Sequence, residues 1–126
     1  MVHEIVRGKT RQRVQDSVRG DERQLGVSDF EIFATMVGPE EMHFSGGVVA
    51  VTDLRVLTAQ DNGTYTSILH GDMRRVHTQL RLLRPSVLTL DAGPLGVVSL
   101  VGKRAVCSLA PVIRQRLGSS IGDQPK

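Results

Sequence analysis

The sequence predicts a mainly β domain: an antiparallel sandwich or partly open barrel of about seven short strands, closed by a C-terminal α-helix and carrying a short N-terminal helix. Three observations predict it. From residue 43 onward, short apolar runs alternate with turn clusters: Asp61-Asn62-Gly63, Gly71-Asp72, Arg84-Pro85-Ser86 and Ala92-Gly93-Pro94-Leu95-Gly96. Aromatics are scarce, with three Phe, one Tyr and no Trp, so the core must be built from Val, Leu and Ile, which favours strands. The stretch before the last turn, RAVCSLAPVIRQRLG, has its apolar residues at helical spacing. A chain of 126 residues, 40% hydrophobic and 23% charged, fits one globular domain with a core of its own.

Taken in order, residues 1–27 are polar, with apolar positions only at Ile5, Val6, Val14, Val18 and Leu25 and with glycines at 8, 20 and 26. They read as a loosely held basic and polar arm, helical in part. The segment SDFEIFATMV, 28–37, reads as a short helix. Ser28 and Glu31 make a capping box, Phe30, Phe33, Ala34 and Val37 share one face, and Gly38-Pro39 stops it. A helix this short must dock to persist.

The strands follow. GVVAV and RVLTA flank the corner Thr52-Asp53-Leu54-Arg55, where Thr52 and Asp53 are expected to hydrogen-bond the turn backbone and Arg55 to point outward or meet a carboxylate. Asn62-Gly63 suits a tight hairpin because both residues tolerate positive φ. TYTSIL returns. RRVHTQLRLL alternates, with Val76, Thr78, Leu80 and Leu82 on one face and Arg75, His77, Gln79 and Arg81 on the other, the period of a half-exposed strand. VLTL and VVSLV form the last hairpin around AGPLG. In the closing helix Leu109, Val112, Ile113 and Leu117 form the apolar stripe and Gly118 stops it. Pro111 leaves two solutions: a short helix capped by Ser108, with the proline in its first turn, or a longer one from about Lys103 with a kink; the longer form is preferred. The domain then spans 28–118, and 119–126 is a free tail.

Charge is uneven. Between 28 and 72 seven acidic residues face Arg55 alone, whereas between 73 and 117 Asp91 faces eight Lys and Arg. Such a field attracts anions without fixing a fold. The lone Cys107 excludes an internal disulfide, and with four scattered histidines no zinc spacing arises. No run is long enough to span a membrane, and MVHEIVRGKTRQR lacks the apolar stretch of a secretory signal, so a cytoplasmic protein, at most peripheral at a membrane, is expected.

Several strands followed by one amphipathic helix resemble the pleckstrin-homology (PH) superfold, in particular the bacterial PH-like domains. VVAVTDLRVL resembles that family's strand–corner–strand, TSILHGDMRRV its next strand and turn, VLTLDAGPLGVVSL the following hairpin and RAVCSLAPVIRQRL the closing helix; VGPEEMHF resembles the lead-in to a first strand. The resemblance covers about 38–117 and departs from the family in the helix proline and the missing aromatics. It implies a binding module. Ligands vary across the family, so the fold alone does not name one.

No catalytic constellation emerges. Ser67, His70 and Asp72 are the residue types of a hydrolase triad but lie in one short segment with no nucleophile elbow. Cys107 reads as a small core residue, and Glu40-Glu41 with His43 as an exposed turn without further metal ligands. The leading expectation is therefore a non-catalytic module, without cofactor or metal, for protein–protein contact or self-assembly, with Phe30, Phe33, Met36 and Val37 docking within the domain or on a partner. The alternative is an anion-binding module for acidic lipid headgroups or nucleic-acid phosphates using Arg74, Arg75, His77, Arg81 and Arg84. The aromatic shortage argues against base stacking.

Overall fold

The computed structural model describes residues 2–37, 40–80, 86–93 and 96–121, with side chains at 4–35, 45–80, 86–93 and 96–116. A helix, α1 (Val2–Ser17), precedes seven strands: β1 (Gln24–Val37), β2 (Glu40–Thr52), β3 (Arg55–Gln60), β4 (Tyr65–Leu69), β5 (Arg75–Gln79), β6 (Val87–Asp91) and β7 (Val97–Val101). A 3-10 turn at His70–Asp72 joins β4 to β5, and α2 (Lys103–Ile121) ends the described chain. All strands join one antiparallel sheet in the order β4-β3-β2-β1-β7-β6-β5, which does not close, so β4 and β5 are its edges. The mainly β, antiparallel, helix-closed architecture expected from the sequence is present.

β1 organises the rest. Its whole length pairs with β2, and its second half, Ile32–Met36, also pairs with β7. One core lies on the inner face, where Phe30, Phe33, Val49, Val51, Val56, Leu88, Leu90, Val98 and Leu100 meet Ala105, Val106, Leu109, Ala110 and Ile113 of α2. Both halves of the sheet thus wrap a single helix.

The segment 28–37 is strand, not helix. Phe30 and Phe33 sit three apart and both point inward because the alternation of β1 flips between them: Phe30 is 1% exposed, Ile32 37% and Phe33 4%. The β1–β2 register has no pair at Glu31 and Gly46, and a Cβ on Gly46 would lie 2.3 Å from the Phe30 carbonyl oxygen. Glycine lets the strands cross closely at the flip, and the flip imitates a helical period. Ser28 does not cap; its hydroxyl donates to the Asp29 carbonyl. Phe30 and Phe33 are core residues and not a partner surface, while the side chains of Met36 and Val37 lie outside the described set.

The N-terminal helix of the fold is instead the segment expected to be a loose arm. α1 lies on the outer face of β1–β3, where Val14 meets Val48, Ala50 and Ala59, with Val27 beside them. This explains a sequence feature: residues 48–52 are all buried, as are 56–60. A strand with one wet face alternates; a strand covered on both faces is apolar throughout. By contrast β6 and β7 alternate in burial and β5 keeps its outward residues exposed, and among the described residues nothing covers their outer face.

α2 takes the longer of the two forms, running from Lys103 through Gly118 to Ile121, with Pro111 inside it on the exposed side. The helix runs past the stop expected at Gly118 and includes 119–121, expected as the start of a free tail; 122–126 lie outside the described residues. Cys107 is exposed on α2 and not in the core, since Val106, Leu109, Ala110 and Ile113 occupy the inward stripe.

The inward turn of Phe30 is testable by denaturant unfolding. Phe30→Ala should cost about 3–5 kcal/mol as a large-to-small core change. Ile32→Thr, on the other side of the flip, should cost under about 1 kcal/mol.

Candidate binding surface

Strand register builds the uncovered outer face row by row. Arg75, Asp91 and Val97 lie side by side across β5, β6 and β7; the next row is His77, Thr89 and Ser99, continuing to Ala34 of β1. The third row is Gln79, Val87, Val101 and Ile32. The face is polar toward the β5 edge and aliphatic toward β1. Thr89 and Ser99 hydroxyls share a hydrogen bond at 3.2 Å. A shallow hollow of about 290 Å³ lies over Arg75, His77, Thr89, Asp91 and Val97.

Of the five anion-binding candidates the structure brings together Arg75 and His77, both exposed. Arg74 leaves this face: its guanidinium end lies against Gly93, where a Cβ would stand 2.5 Å from Nε. Arg81 and Arg84 lie outside the described residues. Asp91, directly across from Arg75, offsets its charge. Sequence reasoning missed the aliphatic residues of this face, Ile32, Val87, Val97 and Val101. The signal was present in VVSLV and VLTL, where valines at 87, 97 and 101 share the outward face with Thr89 and Ser99.

A larger hollow, about 580 Å³, lies where the first turns of α2 meet β1 and is lined by Arg7, Asp29, Glu31, Lys103, Arg104 and Cys107 among others. Its charges are mixed, and Arg7 and Asp29 already pair at 3.2 Å. It has no preference for either sign of ligand.

The corner at 52–55 is an anchor. Thr52 Oγ1 accepts from the Leu54 and Arg55 amides, each at 3.1 Å, and its hydroxyl donates to the Glu22 carboxylate. Arg55 donates to Glu22 through Nε at 2.8 Å and Nη2 at 3.0 Å, and the Arg19 amide donates to the same carboxylate at 3.0 Å. Asp53 accepts from the Arg23 amide at 3.0 Å. Arg55 therefore turns to a carboxylate in the segment between α1 and β1, with the Glu22 side chain fully buried. The Arg55 hydrogen bonds hold the Glu22 pKa down to about 2, outweighing the burial that would raise it. At the next turn Gly63 has φ +100°, and Asn62 Oδ1 accepts from the Thr64 amide at 2.9 Å.

The hydrolase residue types do not assemble. Ser67 Oγ accepts from Arg55 Nη1 at 3.3 Å, Asp72 is exposed, and His70 is buried with Nε2 donating to the Thr52 carbonyl at 2.8 Å. Burial lowers the His70 pKa, and the nearby Arg116 charge acts in the same direction. Among the described residues no group of three or more His, Cys, Asp and Glu could hold a metal ion. The side chains of Glu40, Glu41 and His43 lie outside that set. No helix among the described residues is long and apolar enough to cross a membrane.

Both His70 and Glu22 bind protons less readily when folded, so acid lowers stability through each. The His70 part should be lost as pH falls below its ordinary 6.5, and the Glu22 part as pH falls from 4.5 to about 2. Urea titrations across pH check this: His70→Gln should remove the upper window and Glu22→Gln the lower. At neutral pH, Arg55→Ala should cost about 3–5 kcal/mol because it strands a buried carboxylate.

No protein-family model matches the sequence, and no curated protein matches it.

Proposed function

We propose that the chain is a non-catalytic, PH-like binding module of the cytoplasm that makes protein–protein contact through the open half of its outer sheet face, a second copy of itself being the first partner to test. The seven antiparallel strands followed by a C-terminal helix support the PH-like reading. One observation carries the functional reading: α1 covers the outer face over β1–β3 and leaves it bare over β5–β7, where aliphatic outward residues remain beside Arg75 and His77. Ile32, Val101 and Val87 lie side by side as a patch that gains by leaving water, and the His77, Thr89 and Ser99 row beside it, with Val97 beyond, supplies a rim.

A second reading, binding of acidic lipid headgroups or nucleic-acid phosphates, draws on the adjacent Arg75 and His77 at the hollow. It has less behind it, because Asp91 stands opposite Arg75.

Sedimentation across a range of concentrations tests the first reading. Self-association is expected to persist at high salt, as apolar contact does, and to be lost in Val101→Asp with the fold intact by circular dichroism. A monomer at every concentration would remove self-assembly. Retention on acidic vesicles or nucleic acid that falls steeply with salt and disappears in Arg75→Glu would give the face to anions instead.

A further inference from the structure

The covered half of the outer face has a chemistry of its own. Beneath α1 the side chains are aliphatic: Val14 packs on Val48, Ala50 and Ala59, and the fully buried Leu57 lies across from Ala50 on the same face, so together they make a trough under the helix. Two carboxylates stand at the trough. Asp61 takes both Nε and Nη2 of Arg7, at 2.9–3.1 Å, and the Thr10 hydroxyl at 2.7 Å. Asp29 takes the other arm of Arg7 at 3.2 Å and also Arg11. Arg13 adds a bond to the Gln60 carbonyl at 2.8 Å.

We infer that this trough is a docking groove for a basic amphipathic helix, held in the resting chain by α1, and that a partner protein's helix of the same chemistry takes the place of α1. The groove reads cations at positions i and i+4, as at Arg7 and Arg11, and an aliphatic residue at i+7, as at Val14. Charge complementarity with Asp29 and Asp61 sets the sign of the occupant.

α1 is suited to leave. It is 16 residues long with Gly8 in its middle, which is marginal for a helix standing alone. Val14 is its one fully buried aliphatic side chain among the described residues, while Ile5 is 62% exposed. Val6 is half-buried, and the ion pairs of Arg7 and Arg11 with Asp61 and Asp29 supply a part of the attachment that salt weakens. The connector beyond it stays fixed to the sheet independently, through Glu22 to Arg55 and Thr52 and through Arg23 to Asp53. α1 can therefore lift at Ser17, whose carbonyl accepts from Arg55, without disturbing the register of β1.

The test uses the full chain and a labelled synthetic peptide of residues 1–20. In the variant Arg7→Ala/Arg11→Ala, peptide binding by fluorescence anisotropy should be at least about tenfold tighter than in the wild type, and should weaken with salt. Adding Asp61→Ala, or using a peptide carrying Val14→Asp, should abolish it. No binding to the variant overturns the proposal. A concentration-dependent dimer of the wild type that the peptide dissolves would assign the groove to a second copy and also overturns it. Amide hydrogen exchange of the wild-type chain needs no variant: at raised salt α1 should lose protection while β1–β3 keep theirs, and simultaneous loss would contradict a separable helix.

Discussion

Much in this molecule follows from one constraint: residues 48–52 of β2 and 56–60 of β3 are buried on both faces, and most of them are apolar, so both faces must be covered. Val49, Val51 and Val56 turn inward to α2, while Val48, Ala50 and Ala59 turn outward to α1. A two-residue period cannot hide a continuous apolar run on one side. Were α1 absent, half of the buried residues in these strands would face water. The polar N-terminal segment thus acquires a structural role that its composition conceals.

The same constraint divides the outer face into two territories. Over β1–β3 the face is aliphatic, with Val48, Ala50, Leu57 and Ala59, and is flanked by Asp29 and Asp61, and a helix covers it. Over β5–β7 and the second half of β1 the face is open, with aliphatic residues near the sheet's centre and Arg75 and His77 near its edge. The boundary falls at the flip of β1, where Gly46 lets the Phe30 carbonyl approach and the strand passes from one half to the other. The flip lets one long strand serve both halves, sending Phe30 and Phe33 into the same core despite their odd separation.

What was legible in the sequence lay where one physical signal dominated. The turns at Asn62-Gly63 and around Gly93, the alternation of RRVHTQLRLL and the stripe of the last helix each led to the right element, though β5 stops at Gln79 and leaves Leu80, expected on the inward face, 65% exposed. β1 misled because its flip reproduces helical spacing, and the Ser28–Glu31 pair resembled a cap by coincidence. α1 was obscure because a helix with Val14 as its one fully buried aliphatic side chain and several arginines has almost no apolar stripe to find. Two clues pointed to it nonetheless: the unbroken burial demanded by GVVAVT, and the surplus of carboxylates between 28 and 72, which needed cations from elsewhere. Arg7 and Arg11 supply them. The Glu22–Arg55 anchor left no local signature, since its partners meet only after the sheet has formed. The open face went unread in the sequence although Val87, Val97 and Val101 turn outward there; of the basic set predicted for it, Arg75 and His77 stand on it and Arg74 turns to Gly93.

The central claim is that the outer face of β1–β3 is sealed by α1, and a thiol placed under the helix tests it most directly. In a Cys107→Ser background, which removes the exposed native thiol, Ala50→Cys should react with a maleimide far more slowly than Cys107 does in the native chain, as a fully buried site would. Labelling of Ala50→Cys at the rate of the exposed Cys107, in a chain whose circular dichroism is unchanged, would contradict the account.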